Sequence, residues 1–147
     1  MFGHLLVPTD GSELSQKAVE RAVLFAKEIR ARITFFFVRA DVEASVYGDA
    51  ALVRSTDPEI FAMAAEEEAR NILMRAQLVA NDAGIDSEVL SAISDHPYEA
   101  IIAAAENRGC DLIVMASHGH RGFKGVVLGS QTQKVLTHSK FPVLVYR

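Results

Sequence analysis

Uninterrupted apolar runs alternate with amphipathic stretches along this chain. Residues 4–10 (HLLVPTD) begin as a continuous apolar run stopped by proline, which reads as a short buried strand. From Ser12, apolar residues at Ala18, Ala22, Phe25, Ala26 and Ile29 recur at helical spacing, so a helix runs to about Arg30. Residues 33–38 (ITFFFV) are β-branched and aromatic and predict a second strand. Asp57-Pro58 joins a capping carboxylate to a first-turn proline and opens a long helix through Ala83, closed by Gly84. Residues 85–93 predict a third, more weakly patterned strand. Pro97 starts a further helix that ends before Gly109. Leu112–Ala116 (LIVMA) is a fourth strand, residues 130–139 a last helix and residues 142–146 (PVLVY) a fifth strand.

Strands thus alternate with helices throughout, and three of them are apolar without a polar alternation. Such strands belong to a parallel sheet covered on both faces. Right-handed crossovers then give a three-layer α/β sandwich, built as one domain over residues 1–147. Residues 39–56 form the one long irregular connection, of a length that usually serves as a functional lid or is locally disordered.

Composition supports this picture: half the residues are hydrophobic, enough for one sizeable core. No stretch approaches the roughly 18 uncharged apolar residues of a membrane span. The opening MFGHLLVPTDG lacks the basic start of a secretory signal, so a soluble cytoplasmic protein without membrane contact is expected. Cys110 is the only cysteine and precedes an apolar run, the setting of a buried small hydrophobe. The net charge of −4 argues against nucleic-acid binding. Its distribution says more. All 19 acidic residues lie between Asp10 and Asp111, while Arg121, Lys124, Lys134, Lys140 and Arg147 follow, with His118, His120 and His138. A positive field of this kind suits a phosphate or another small anion.

In an open parallel sheet, ligands sit beyond the carboxyl ends of the strands where the winding reverses. Two loops there carry chemistry. Residues 117–130 contain Gly119, Gly122, Gly125 and Gly129. Glycine permits positive φ and lets amides turn inward as an anion nest. The loop then meets the amino end of the last helix, with its unpaired N–H groups. No glycine-lysine-Ser/Thr triplet of a Walker A loop is present, nor a G-x-G-x-x-G. Ser130 with Gln133 three residues on also fits a capping box. The other loop, Thr9 to Ser12, carries Asp10, which suits a ribose hydroxyl or a metal and equally suits plain Asp-Gly turn chemistry. His118 and His120 are a weak metal signal without a third ligand.

The spacing Ser117-His118-Gly119, nine residues, then Gly129-Ser130, followed by a helix and FPVLVYR, resembles the universal stress protein (UspA-like) family. LLVPTDGSELSQKAVERA resembles the first strand and helix of the same family. The resemblance covers essentially the whole chain. It implies a Rossmann-like, adenine nucleotide alpha hydrolase-like fold with a five-stranded parallel sheet in the order 3-2-1-4-5, which brings Asp10 beside the glycine loop. It further implies binding of ATP, AMP or another adenine nucleotide, with Mg2+ accompanying a triphosphate. By position, Asp10 meets the ribose, while backbone at Pro8 and Val38 borders the adenine. Met115 and Ala116 line the nucleotide. Amides of Gly119, Gly129, Ser130 and Gln131, with the Ser130 hydroxyl, hold phosphates, and Thr9 and His118 complete the set. The first glycine of the family's motif is Ala116 here. If that position needs positive φ, the Cβ costs about 1 kcal/mol; if it needs close approach, the methyl narrows the pocket.

The leading expectation is therefore a nucleotide-binding stress-response module, a homodimer through the terminal strand Val143–Tyr146. A nucleotide-free interaction protein of the same fold and a slow ATPase or phosphotransferase are the alternatives. No catalytic residue stands out.

Overall fold

The computed structural model describes residues 1–41, 58–120, 122 and 128–147. Its elements are β1 (His4–Pro8), α1 (Glu13–Ile29), β2 (Arg32–Arg39), α2 (Pro58–Asp82), β3 (Ser87–Ile93), α3 (Pro97–Arg108), β4 (Leu112–Ala116), α4 (Ser130–His138) and β5 (Val143–Tyr146). All strand pairs are parallel, and the sheet runs β3-β2-β1-β4-β5, the expected order. The first strand stops at Pro8, two residues short of expectation, because Thr9 and Asp10 are already committed to the turn that starts α1. Asp57 and most of the long 39–56 connection fall outside the described residues.

Side chains alternate across the sheet and build two cores. Leu5 and Val7, Ile33 and Phe35, Leu112 and Val114 pack with Val19, Val23 and Ala26 of α1 and Leu73, Ala76 and Ala80 of α2. On the other face Leu6, Phe36, Ile113 and Met115 pack with Ile101, Ala104 and Ala105 of α3 and Val135 of α4. The central strands are buried on both sides, hence their continuous apolarity. Edge strand β3, with Val89 and Ile93 exposed, has the weaker pattern for the same reason. Helix ends follow their local signals. Ser12 caps α1 by accepting from the Ser15 amide, and Gly109 takes the left-handed conformation (φ 65°) that ends α3. Cys110 is buried, and burial pushes its thiol up to about 11, so it remains a protonated core residue. No helix among the described residues is long and apolar enough to cross a membrane.

Candidate functional site

Winding reverses between β1 and β4, whose neighbours β2 and β5 extend the sheet in opposite directions. Asp10 lies two residues beyond β1 and Ser117 one residue beyond β4, so the turn after β1 and the glycine loop face each other. The contact is direct. The His120 amide donates to Asp10 Oδ2 at 3.0 Å, and His120 Nε2 donates to the Asp10 carbonyl, also at 3.0 Å. A carbonyl only accepts, so Nε2 carries the proton. The Ser12 amide donates to Asp10 Oδ1 at 2.9 Å, closing an Asx-type turn into α1. Two stretches 110 residues apart in sequence thus share one carboxylate.

Asp10 is half-buried. Burial alone raises its carboxyl, but hydrogen bonds from Ser12 and from the His120 amide outweigh that and hold it below the ordinary value of 3.8. It is an ionised acceptor at neutral pH. Thr9, by contrast, is turned away: its hydroxyl pairs with Ser15 Oγ at 3.1 Å at the start of α1. Its amide donates to Phe36 O, so Thr9 is a structural part of the turn.

The described glycines of the loop do not use the positive φ that glycine permits. Among the described residues, positive φ occurs at Gly11, Gly84 and Gly109 and at Arg30, but not at Gly119, Gly122 or Gly129. These three are required by proximity. A Cβ on Gly119 would strike the Asp10 carboxylate, and one on Gly122 would strike the His118 ring. A Cβ on Gly129 would stand 3.0 Å from His118 Cα and 3.1 Å from Ser117 O, where neither backbone can give way. The same logic resolves the alanine. Ala116 is the last residue of β4, paired with Tyr146, and has no positive φ. Its Cβ therefore costs no backbone strain, and the departure from the family's glycine acts only through the space its methyl occupies.

The amino end of α4 is arranged differently from the predicted capping box. Gly129, not Ser130, is the N-cap, and no side chain among the described residues caps the helix. The Gly129 amide donates to Ser117 O at 2.6 Å and is thereby used within the loop. Ser130, Gln131 and Thr132 form the first turn, whose amides lack intrahelical partners by helix geometry. No acidic side chain occupies that turn. Thr132 donates its hydroxyl to Ala116 O at 2.9 Å, fastening α4 to the end of β4. The Gln131 side chain turns outward to accept from the Tyr98 amide at 3.1 Å, which supplies the cap that α3 otherwise lacks.

The fold thus gathers Asp10, Gly119, Gly129, Ser130, Gln131, His118, Ala116 and Met115 at one pole. Pro8 is paired with Phe36, two residues before Val38 on β2, so both lie along the same carboxyl edge. An anionic acceptor at the end of β1 and a helix amino end at the end of β4 can hold a molecule with hydroxyl donors at one side and an anion at the other. Gly125, Arg121 and Lys124 lie outside the described residues. His120, which the sequence offered as part of the basic segment and as a weak metal signal, emerges as the partner of Asp10. No group of three metal-ligating side chains occurs among the described residues.

A sequence profile of the universal stress protein family matches residues 1–147. The chain is 33% identical to universal stress protein YxiE of Bacillus subtilis over 149 residues, covering all of both chains. Universal stress protein UspA from Lactobacillus plantarum is a structural neighbour at TM-score 0.78 and 28% identity, over 99% of this chain and 98% of that one. A universal stress protein in complex with cAMP aligns at TM-score 0.72 and 27% identity, over 99% of this chain and 97% of the other.

Proposed function

Because this chain belongs to the universal stress protein family, we propose that it binds ATP, AMP or a related adenine nucleotide at the carboxyl ends of β1 and β4. It would do so as a cytoplasmic, dimeric regulatory module. The observation that carries the reading is the convergence of the Asp10 carboxylate with the first turn of α4, which no side chain among the described residues caps. The cAMP complex of a relative supports an adenine nucleotide as the ligand class.

In this reading Asp10 accepts a ribose hydroxyl. Backbone at Pro8 and Val38 borders the base, and Met115 and Ala116 line the nucleotide. Amides of Ser130 and Gln131, with the Ser130 hydroxyl and the Gly119 amide, hold phosphate at the positive end of α4. Gly129, whose own amide is engaged by Ser117, contributes close approach instead of a donor. His118 packs beside Gly122 and Gly129, and Thr9 supports the turn from within. With no cluster of protein ligands among the described residues, Mg2+ would arrive bound to the triphosphate. Calorimetry with ATP and AMP, paired with thermal melting, tests this. Heat of binding and a raised melting temperature are expected; neither at millimolar nucleotide would overturn it. Dimerisation through β5 is supported by its edge position, with β4 as its neighbour in the sheet. Light scattering should give twice the monomer mass, and a monomer would refute that part.

A further inference from the structure

Asp10 is fixed from two sides, and the two sides differ in kind. The Ser12 amide comes from the residue two positions along and belongs to the turn itself. His120 comes from the far end of the chain and grips Asp10 twice, its amide on Oδ2 and its ring on the main-chain carbonyl. Those two bonds run in parallel, so the loop after β4 is pinned to the backbone and the side chain of one residue. Gly119, immediately before His120, permits this approach because any Cβ there would meet the carboxylate. His118, the neighbouring histidine, makes no such contact: its Nδ1 pairs with Ser117 Oγ at 3.1 Å.

We propose that His120 is the positioning residue that sets the sugar preference of this site. This rests on the nucleotide-binding reading and deepens it. A carboxylate accepts from several directions, and a freely rotating one pairs with whatever donor approaches, ribose or not. Held by the Ser12 amide on one oxygen and the His120 amide on the other, the Asp10 carboxylate cannot rotate freely, so its remaining lone pairs point in fixed directions. The ring bond to the Asp10 carbonyl holds the loop, and with it that amide, in register. A ligand hydroxyl at the matching position is then rewarded, and a ligand lacking it leaves a half-buried anion short of a donor. The ligand class is thus a ribonucleotide in which the hydroxyl facing Asp10 is free, distinguished from its deoxy counterpart.

The test measures AMP, 2′-deoxy-AMP and 3′-deoxy-AMP binding by calorimetry to wild type, His120→Ala and His120→Gln, with melting curves to verify folding. Wild type should bind one deoxy analogue about tenfold more weakly than AMP, the loss of one hydrogen bond to a charged group. His120→Ala should compress that ratio to about twofold, chiefly through weaker AMP binding, because its amide stays but is no longer held in place. His120→Gln, whose side-chain N–H reaches the Asp10 carbonyl, should recover most of the ratio, which a merely structural histidine would not predict. An unchanged ratio in His120→Ala overturns the role of His120 while leaving nucleotide binding intact. No binding of any of the three by wild type overturns both this role and the nucleotide reading.

Discussion

At the amino end of β1, His4 is 4% exposed and donates from Nε2 to Thr34 at 2.7 Å, while Thr34, fully buried, donates onward to Glu88 at 2.7 Å. Asp111 closes the same end by accepting from the Gly3 and His4 amides at 2.8 and 3.1 Å. At the carboxyl end, six residues on, Asp10 likewise accepts two amides, from Ser12 and His120. Both poles therefore pair an aspartate with backbone from a distant segment. They differ in what surrounds it. At the amino pole the polar groups point at one another beneath the cover of α3, and His4 Nδ1 is buried with no partner. Burial, followed by the charge of Arg32, holds His4 below its ordinary value of 6.5, so it stays neutral. At the carboxyl pole the donors fix the carboxylate and leave it ionised and accessible. One end is a buried network whose polar groups face one another, and the other leaves an ionised acceptor in reach of solvent.

The sharpest way to break that contrast is Thr34→Val, which removes the central hydroxyl of the closed network at nearly constant shape. It strands His4 Nε2–H and should cost about 1–3 kcal/mol in denaturant unfolding, with nucleotide affinity unchanged. Asp10→Asn works from the opposite side. It keeps the shape but loses the charge, and should weaken AMP binding by about tenfold or more in calorimetry, with a smaller change in stability. Gln131→Ala separates side chain from backbone at the site. The side chain caps α3 through Tyr98, so melting should report a loss of about 1 kcal/mol while AMP affinity holds within about twofold.

The smallest effect expected is in the pH profile of stability. Both groups have folded values below their unfolded ones, so each binds more protons when unfolded and its contribution fades as pH falls. The His4 contribution is fully present above its ordinary value of 6.5 and is lost as pH falls through its lower folded value. The Asp10 contribution is present above 3.8 and is lost only below that. Denaturant titrations should show two separate acid losses, with His4→Gln abolishing the upper one and Asp10→Asn the lower. A single transition unaffected by either variant would contradict the assignment.

Much of the scaffold was legible in the residues. The central strands announce themselves because burial on both faces removes every polar alternation. Pro58, Gly84 and Gly109 mark helix ends through backbone chemistry that acts over a few residues. The site was legible in part. Asp10 and the Gly119 to Ser130 loop stand out by composition, and the family resemblance joined them. The roles within it were not. Ser130 and Gln133 have capping-box spacing, yet Gly129 is the cap, because the Gly129 amide is drawn to Ser117 and the Gln131 side chain is drawn across to α3. His120 carries no local mark that separates it from His118.

The sequence by itself determined the order of strands and helices, the two-sided burial of the sheet and the presence of an acid-free, glycine-rich loop. These follow from periodicity and local backbone preference, which act between near neighbours. The folded chain was needed to show that Gly119, Gly122 and Gly129 serve close approach and not positive φ, that Ala116 sits without strain at the end of β4, and that His120 holds Asp10. Each of those depends on which atoms the folded chain brings together, and the contact of His120 with Asp10 joins residues 110 apart, a separation that no local pattern encodes.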